Sequence, residues 1–384
     1  MNNNHFAIVR YLRDMGVDAY LLLTDGERDH FHPSADTFDT TYMQYTKQLT
    51  WGSGLNILST SSDQINHDLS GYDILVGCGY VPAYCQKAGI NLDIFVPYGA
   101  DIWDGTKHKI TSPKKQLNDF ILKLMQKKGL ANCKVWHMAP ADKMYEKQYQ
   151  KFKGNSQRWL EGLPMVYSPI YKKENLEKMI NSTHWGHEFL KIRNQTEFMV
   201  VSHMRHYWGE KSDPNSKGND ILINGWKQFL TQSKSNSAIL ILTEYGKDVD
   251  KSKALIKKLE IENSVKWMPK MTRKDIMVAL LLCDVVCGEF LNSWSSSGVL
   301  YEGLVSAKPI LAYRNDDDYE NLYPILNANT PQVIAQKLIE VIKDKDKSRK
   351  VGIESQQWYT DTIQIDAINR YLEYFKNKKI KKYT

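Results

Sequence analysis

The sequence predicts an α/β protein made of two doubly wound units, each with a mostly parallel sheet. Three observations carry this reading. Short apolar runs alternate with helical patterns along most of the 384 residues, as βαβ construction requires. The length suits two or three domains of ordinary size. A polar, proline-containing stretch from Leu163 to Glu197 interrupts the alternation near the middle.

In order along the first half, the apolar runs expected to form strands are Ala19–Leu23, Asn56–Leu58, Ile74–Val76, Ile94–Val96 and Lys134–His137. Helical patterns separate them at Phe6–Met15, Tyr42–Leu49, Val81–Ala88 and Lys115–Lys127. In the second half the strands fall at Phe198–Ser202, Ala238–Leu242, Val265–Trp267, Asp284–Cys287 and Pro309–Ala312. Helices are expected at Asp220–Ser233, Lys251–Leu259, Arg273–Leu282, Gly298–Ser306 and Thr330–Lys343. The tail repeats Ile363, Ile365, Ile368, Tyr371, Leu372 and Phe375 near helical spacing and ends in Lys376, Lys378, Lys379, Lys381 and Lys382. One feature is unusual. A doubly wound unit ordinarily opens with a strand, whereas here the helix Phe6–Met15 comes first. Either the first strand is missing from this domain or translation starts in what would be the loop.

Composition narrows the class. Hydrophobic residues make up 42% and charged residues 25%, which excludes a wholly disordered, collagen-like or coiled-coil chain. The net charge of +7 permits an anionic partner without demanding one. Five cysteines, none in a C-x-x-C pair, argue against a disulfide framework or a zinc ribbon and for a reducing compartment. The start MNNNHFAIVR has no signal-peptide h-region, and the longest apolar stretch, MVALLLC at 277–283, is far too short to span a bilayer. A cytoplasmic protein is expected, peripheral to a membrane at most.

The segment Asp284–Ala312 carries the most chemistry. A buried strand runs into a small polar loop, Asn292–Gly298, which feeds the helix Gly298–Ser306. Such a loop, with Ser296, Ser297 and Gly298 at the helix start, presents free N–H groups and the positive end of the helix dipole, a setting that holds phosphate. Glu302, about one turn into the helix, would accept hydrogen bonds from ribose hydroxyls beside those phosphates. A capped helix with nothing bound is the plain alternative. After the strand Phe198–Ser202 come Arg205 and then Lys217, cations at the carboxyl edge of the sheet that could neutralise a diphosphate. Lys247, in the turn after the next strand, is a weaker third.

Taken together, KGNDILINGWKQF, AILILTEYGKD, LIKKLEIENSVKWMPKMTRKDIMVAL and DVVCGEF…SSGVLYEGLVSAKPIL resemble the C-terminal domain of GT-B glycosyltransferases of the family 4 type, over roughly Phe198–Ala312. The resemblance implies a GT-B fold, two Rossmann-like domains with a cleft between them. It implies an acceptor-binding domain over 1–170, a nucleotide-sugar-binding domain over 171–355, and a C-terminal helix with a basic tail over 356–384 that packs back towards the first domain. It assigns Glu302 to the donor ribose, Arg205 and Lys217 to the donor phosphates, and Trp267 and Met268 to the nucleobase. The sequence departs from the family where the first glutamate of E-x7-E would stand: position 294 is Trp294, and Glu289 comes too early to fill it directly.

In the first half, Asp93–Asp104 reads DIFVPYGADIWD. Many such transferases carry H-G-x-D here, so Gly99 and Asp101 match and Tyr98 replaces the histidine. Asp101 would hydrogen-bond an acceptor hydroxyl or act as its base, or simply cap a turn. Tyr98 is assigned to packing or hydrogen bonding, and His137, at the end of the next strand, is a further acceptor-side candidate that could equally be a structural histidine. The run Asp25–Asp36 and the triplet Asp316–Asp318 are read as solvated loops, with no metal site.

The expected activity is therefore transfer of a sugar from a nucleotide diphosphate sugar, with UDP or GDP as the nucleotide, to a glycan or lipid-linked hydroxyl acceptor. The family implies retention of configuration, and Arg205, Lys217 and the serine loop would act without a metal; no cofactor is expected. A DNA-base glycosyltransferase, an epimerase or a phosphorylase of the same fold, and a non-catalytic binding module are the alternatives. Nucleic acid is not the expected partner, and the basic tail could touch an anionic membrane.

Overall fold

The computed structural model describes residues 4–26, 31–98, 101–102, 112–138, 143–213, 215–235, 237–293, 296–318 and 322–382. The chain divides into two compact units. The first comprises Met1–Pro33, Asp39–Met165 and Thr362–Thr384, and the second Ser34–Phe38 and Val166–Asp361.

The first unit holds two parallel sheets. β1 (Leu21–Leu23) pairs with β2 (Thr46–Gln48). Separately, β3 (Val76–Gly77), β4 (Ile94–Phe95), β5 (Val135–His137) and β6 (Gln157–Trp159) lie in that order. Trp51, Tyr84, Phe95 and Trp136 fill the core against helices Val81–Lys87 and Pro113–Asn132. Two sequence expectations fail here. The predicted helix Tyr42–Leu49 is a 3-10 turn, Thr41–Tyr45, running into β2, because Thr46–Gln48 finds a strand partner in Leu21–Leu23. The predicted strand Asn56–Leu58 is a turn, because Asn56 donates to the Asp25 carboxylate (2.6 Å) and accepts from the Thr60 N–H (3.0 Å). Sequence reading missed β6 and helix Ser62–Leu69, which Ser61 caps by accepting from the Gln64 N–H.

The second unit is a six-stranded parallel sheet. Its strands are β7 (Phe198–Ser202), β8 (Ala238–Thr243), β9 (Val265–Met268), β10 (Val285–Cys287), β11 (Ile310–Ala312) and β12 (Leu326–Asn327), in the spatial order β12-β11-β10-β7-β8-β9. Strands β7, β8, β10 and β11 are apolar on both faces, as strands in a sheet covered by helices on both sides must be. Trp226, Phe229, Leu240, Val285 and Ile334 lie in its core, none of them exposed. The order has a physical consequence. The chain leaves β7 towards β8 and β9, then returns to β10 on the other side. The switch point between β7 and β10 is where an open α/β sheet receives ligands, beyond its carboxyl ends.

The C-terminal run continues from helix Lys345–Trp358 through a π-helical stretch, Tyr359–Asp366, into helix Ala367–Lys382. Within the first unit, His137 and Trp159 pack on Tyr371, and Lys378 pairs with Asp93 at 2.7 Å.

Candidate active site

Beyond β7 come His203, Met204 and Arg205; beyond β10 come Gly288, Glu289 and Phe290. Two loops meet there. The Lys217 N–H donates to the Tyr207 carbonyl (2.7 Å), the Phe290 N–H to the Lys217 carbonyl (3.0 Å), and the Asn292 side chain to the Ser216 carbonyl (2.8 Å). Gly218 allows this approach. Its φ is +72°, and a Cβ there would stand 3.0 Å from the Leu291 nitrogen. The lacing brings Lys217 Nζ to 2.6 Å from Glu289 Oε1. Glu289 is 5% exposed. Burial pushes its carboxyl up, and the charges of Lys217 and Arg205 pull against that.

Glu302 is 7% exposed on helix Gly298–Val305. Its Oε2 lies 2.7 Å from His203 Nε2, and its Oε1 accepts from Arg273 Nε at 2.7 Å. Arg273 in turn donates to Asp36, 3.0 Å away and fully buried, which also accepts from the Tyr171 hydroxyl. The result is a buried string of alternating charges. Burial alone would raise the Glu302 carboxyl, but Arg273 and His203 overcome it and hold it at about 2. The carboxylate is thus kept ionised and fixed in direction. At the end of β7, along the loop that follows it and in the loop after β10, several buried polar atoms have no hydrogen-bond partner among the described residues: Ser202 Oγ, His203 Nδ1, Ser216 Oγ, Asn219 Nδ2 and Glu289 Oε2. Buried polar atoms are almost always paired, so such a cluster at the switch point marks a place for a polar ligand.

The other donor-side candidates sit as follows. Arg205 is exposed, makes no ion pair among the described residues, and lies 5.5 Å from the Tyr207 ring centre. Ser297 caps the helix by accepting from the Leu300 N–H at 3.3 Å, and a Cβ on Gly298 would meet nothing within 4 Å; Ser296 directly precedes the cap. Trp267 packs on His206 with ring centres 5.1 Å apart, and Met268 is buried. Lys247 is drawn away to Glu210 (3.1 Å) and the Tyr207 ring (4.0 Å). Trp294 lies outside the described residues.

In the first unit, Asp101 is buried and its carboxylate accepts from the Gly79 N–H (3.0 Å) and the Tyr98 N–H (3.1 Å). It ties the turn after β4. Gly99 lies outside the described residues. His137 is fully buried, with Nδ1 2.9 Å from the Tyr371 hydroxyl and Nε2 2.8 Å from the Glu161 carbonyl. Burial lowers its pKa to about 4, so both nitrogens of the neutral ring serve the fold.

Sequence reading missed Arg273, His203 and Asp36 as members of the site, and passed over Glu289. Asp36 corrects the expectation of a solvated Asp/His loop. The residues Ser34–Phe38 belong to the second unit, where Arg273 and Tyr171 bury the carboxylate. A signal for Glu289 was present, since it directly follows a buried strand.

No protein-family model and no curated protein matches this chain. Solved structures do match its fold. HepE of Anabaena, in complex with UDP-glucose, superposes with a TM-score of 0.61 at 16% identity, over 98% of this chain and 95% of that one. A glycosyltransferase from Rickettsia africae gives 0.57 at 14%, over 98% and 94%. WaaG, a glycosyltransferase involved in lipopolysaccharide biosynthesis, gives 0.56 at 14%, over 96% and 94%. The fold is GT-B. In this GT-B chain Arg205, Lys217 and the helix start Ser297–Gly298 follow the carboxyl ends of β7 and β10, Glu302 lies on that helix beside His203, and Trp267 and Met268 lie in the edge strand β9. Those anticipated on the acceptor side, where described, are engaged in holding the first unit together. Among the described residues no helix is long and apolar enough to cross a membrane.

Proposed function

We propose that the chain is a glycosyltransferase that takes a nucleotide diphosphate sugar and passes the glycosyl group to a hydroxyl acceptor. One observation carries this reading. Glu302 is held as a buried anion at the same switch point where Arg205 and Lys217 stand and where five buried polar atoms lack partners among the described residues. An anion flanked by cations suits a ligand with hydroxyls at one end and phosphates at the other: Glu302 accepts from the ribose, and Arg205 and Lys217 face the diphosphate. The solved GT-B structures with UDP, UDP-glucose, or UDP and glucose bound support the same donor class.

In the reaction the bond from the anomeric carbon to the diphosphate oxygen breaks, a bond from that carbon to the acceptor oxygen forms, and the acceptor hydroxyl loses its proton. Charge grows on the leaving diphosphate, and stabilising it is the largest catalytic effect available. Arg205, Lys217 and the N–H groups of Ser296, Ser297 and Gly298 supply this without a metal. Lys217 is pre-positioned by Glu289, whose second oxygen has no partner among the described residues. We assign retention of configuration, a glycan or lipid-linked acceptor, and membrane contact through the basic tail to the same proposal.

The test is a thermal-shift screen of UDP-, GDP-, ADP- and CDP-sugars. A donor at 100 times its dissociation constant adds ~2.7 kcal/mol. UDP- or GDP-sugars should raise the midpoint, Glu302→Gln should abolish the rise, and EDTA should leave turnover unchanged. A screen in which no nucleotide sugar shifts the wild-type chain overturns the reading.

A further inference from the structure

Helix Pro113–Asn132 of the first unit is fixed in rotation by its inner face. Asn118 Nδ2 donates to the Gly54 carbonyl at 2.8 Å. Gln126 accepts from the Ala83 N–H at 3.1 Å and donates to the Gly79 carbonyl at 2.9 Å. Gly129 lies so close to Pro82 that a Cβ there would run into its carbonyl oxygen. With the buried Leu122 these residues recur at helical spacing and mark the core side. On the opposite side stand Leu117, Phe120 and Leu124, which are 53%, 64% and 38% exposed. At i, i+3 and i+7 the three are neighbours on one face. Exposed apolar side chains scattered singly are ordinary, but a contiguous group of them marks a contact surface.

The charge around that face has one sign. Lys127 and Lys128 continue it one turn beyond Leu124, and Lys114 and Lys123 flank it. All four are exposed, and none makes an ion pair among the described residues. Asp119, the one acid of the helix, is half-buried, and its charge acts on Tyr80. The loop that Asn118 ties down adds a further exposed apolar side chain, Leu55. The C-terminal helix of the same unit differs, because its Lys378 is engaged by Asp93 (2.7 Å) and by the Asp73 carbonyl (2.8 Å).

We propose that the outer face of helix Pro113–Asn132 docks flat on an anionic lipid bilayer, with Leu117, Phe120 and Leu124 at the boundary of headgroups and acyl chains and the four lysines against lipid phosphates. The lysines select an anionic partner. The apolar centre selects lipid, since a nucleic acid offers phosphates but nothing that takes up three adjacent apolar side chains in the middle of the contact. A helix with one apolar stripe and a lysine margin lies in the interface plane, and this one is not apolar enough to cross. Each lysine near such a surface strengthens binding about fivefold. Membrane contact of the proposed transferase then has a surface other than the basic tail, and the docking needs none of the transfer chemistry.

The experiment is flotation of the full chain with vesicles in the absence of any nucleotide sugar, so its failure is separate from failure of the thermal-shift screen. The wild-type chain should float with vesicles of phosphatidylcholine and phosphatidylglycerol in equal parts and poorly with phosphatidylcholine alone. Leu117→Ser combined with Phe120→Ser should release it while melting stays unchanged, because both side chains are exposed. Glutamine at Lys114, Lys123, Lys127 and Lys128 should weaken binding more than ~10²-fold, and glutamine at Lys379, Lys381 and Lys382 of the tail far less. A polarity-sensitive dye attached through Leu124→Cys, the native thiols being buried, should shift to the blue on the anionic vesicles. The proposal is overturned if the wild-type chain does not float, if the double serine variant floats as well as wild type, or if the tail variant alone abolishes flotation. A chain that is dimeric in solution, monomeric as the double variant and indifferent to vesicles also overturns it, because a second copy then covers the face.

Discussion

Arg273 stands between two buried carboxylates, Asp36 and Glu302, and their charges hold its guanidinium above its usual range against the pull of burial. Removing it would leave two anions buried without their counter-ion, a change that typically costs about 3–5 kcal/mol. Arg273→Met should therefore lower the free energy of unfolding measured in urea by that amount and weaken donor binding, because Glu302 loses its orientation. Arg205 is different, being exposed and making no ion pair among the described residues. Arg205→Ala should leave the urea midpoint unchanged and reduce turnover by about 10²-fold, the scale of a lost transition-state donor; near-normal steady-state rates would remove it from the site. The five cysteines are all buried, and burial pushes Cys85 and Cys283 up to about 12. They should react with a thiol reagent only on denaturation. What was readable at this scale follows from locality. Arg205, Lys217 and Glu302 could be found because each sits at a strand end or a helix start in its own stretch of sequence. Asp36 and Arg273 are 237 positions apart, so no local pattern could pair them.

At the level of elements, the second unit could be read almost strand for strand because β7, β8, β10 and β11 are apolar and buried on both faces. The short strands of the first unit were not. Thr46–Gln48 is polar and only half-buried to exposed, so its pairing with β1, rather than its composition, makes it a strand. Glu289 belongs to the same lesson. Counting residues back from Glu302 misplaces it, whereas the sheet order sets it at the switch point beside β7. The loop that presents Lys217 depends on Gly218 being left-handed and close to the Leu291 backbone. Gly218→Ala should cost more than ~1 kcal/mol in chemical denaturation and, by moving Lys217, raise KM for the donor. Ser297→Ala removes the helix cap and should cost about 1 kcal/mol.

For the whole molecule, acid is the revealing variable. Burial lowers His137 in one unit and His206 in the other from 6.5 to about 4. Below about 6.5 the unfolded chain takes up protons that these folded sites refuse, so stability is full above that pH and declines towards pH 4. Glu302, held at about 2, adds a second loss as pH falls from about 4.5. Melting temperature against pH should fall through both windows, and a flat curve between pH 7 and 4 would contradict the burial of the two rings. The excursion of Ser34–Phe38 has a practical bearing on dissection. Each unit is discontinuous in sequence, so no single cut liberates either one intact. A fragment spanning Val166–Asp361 would carry a guanidinium stripped of its deeper carboxylate; it should be recovered in poorer yield than the entire chain, and a short synthetic peptide containing Asp36 should partly restore its resistance to protease.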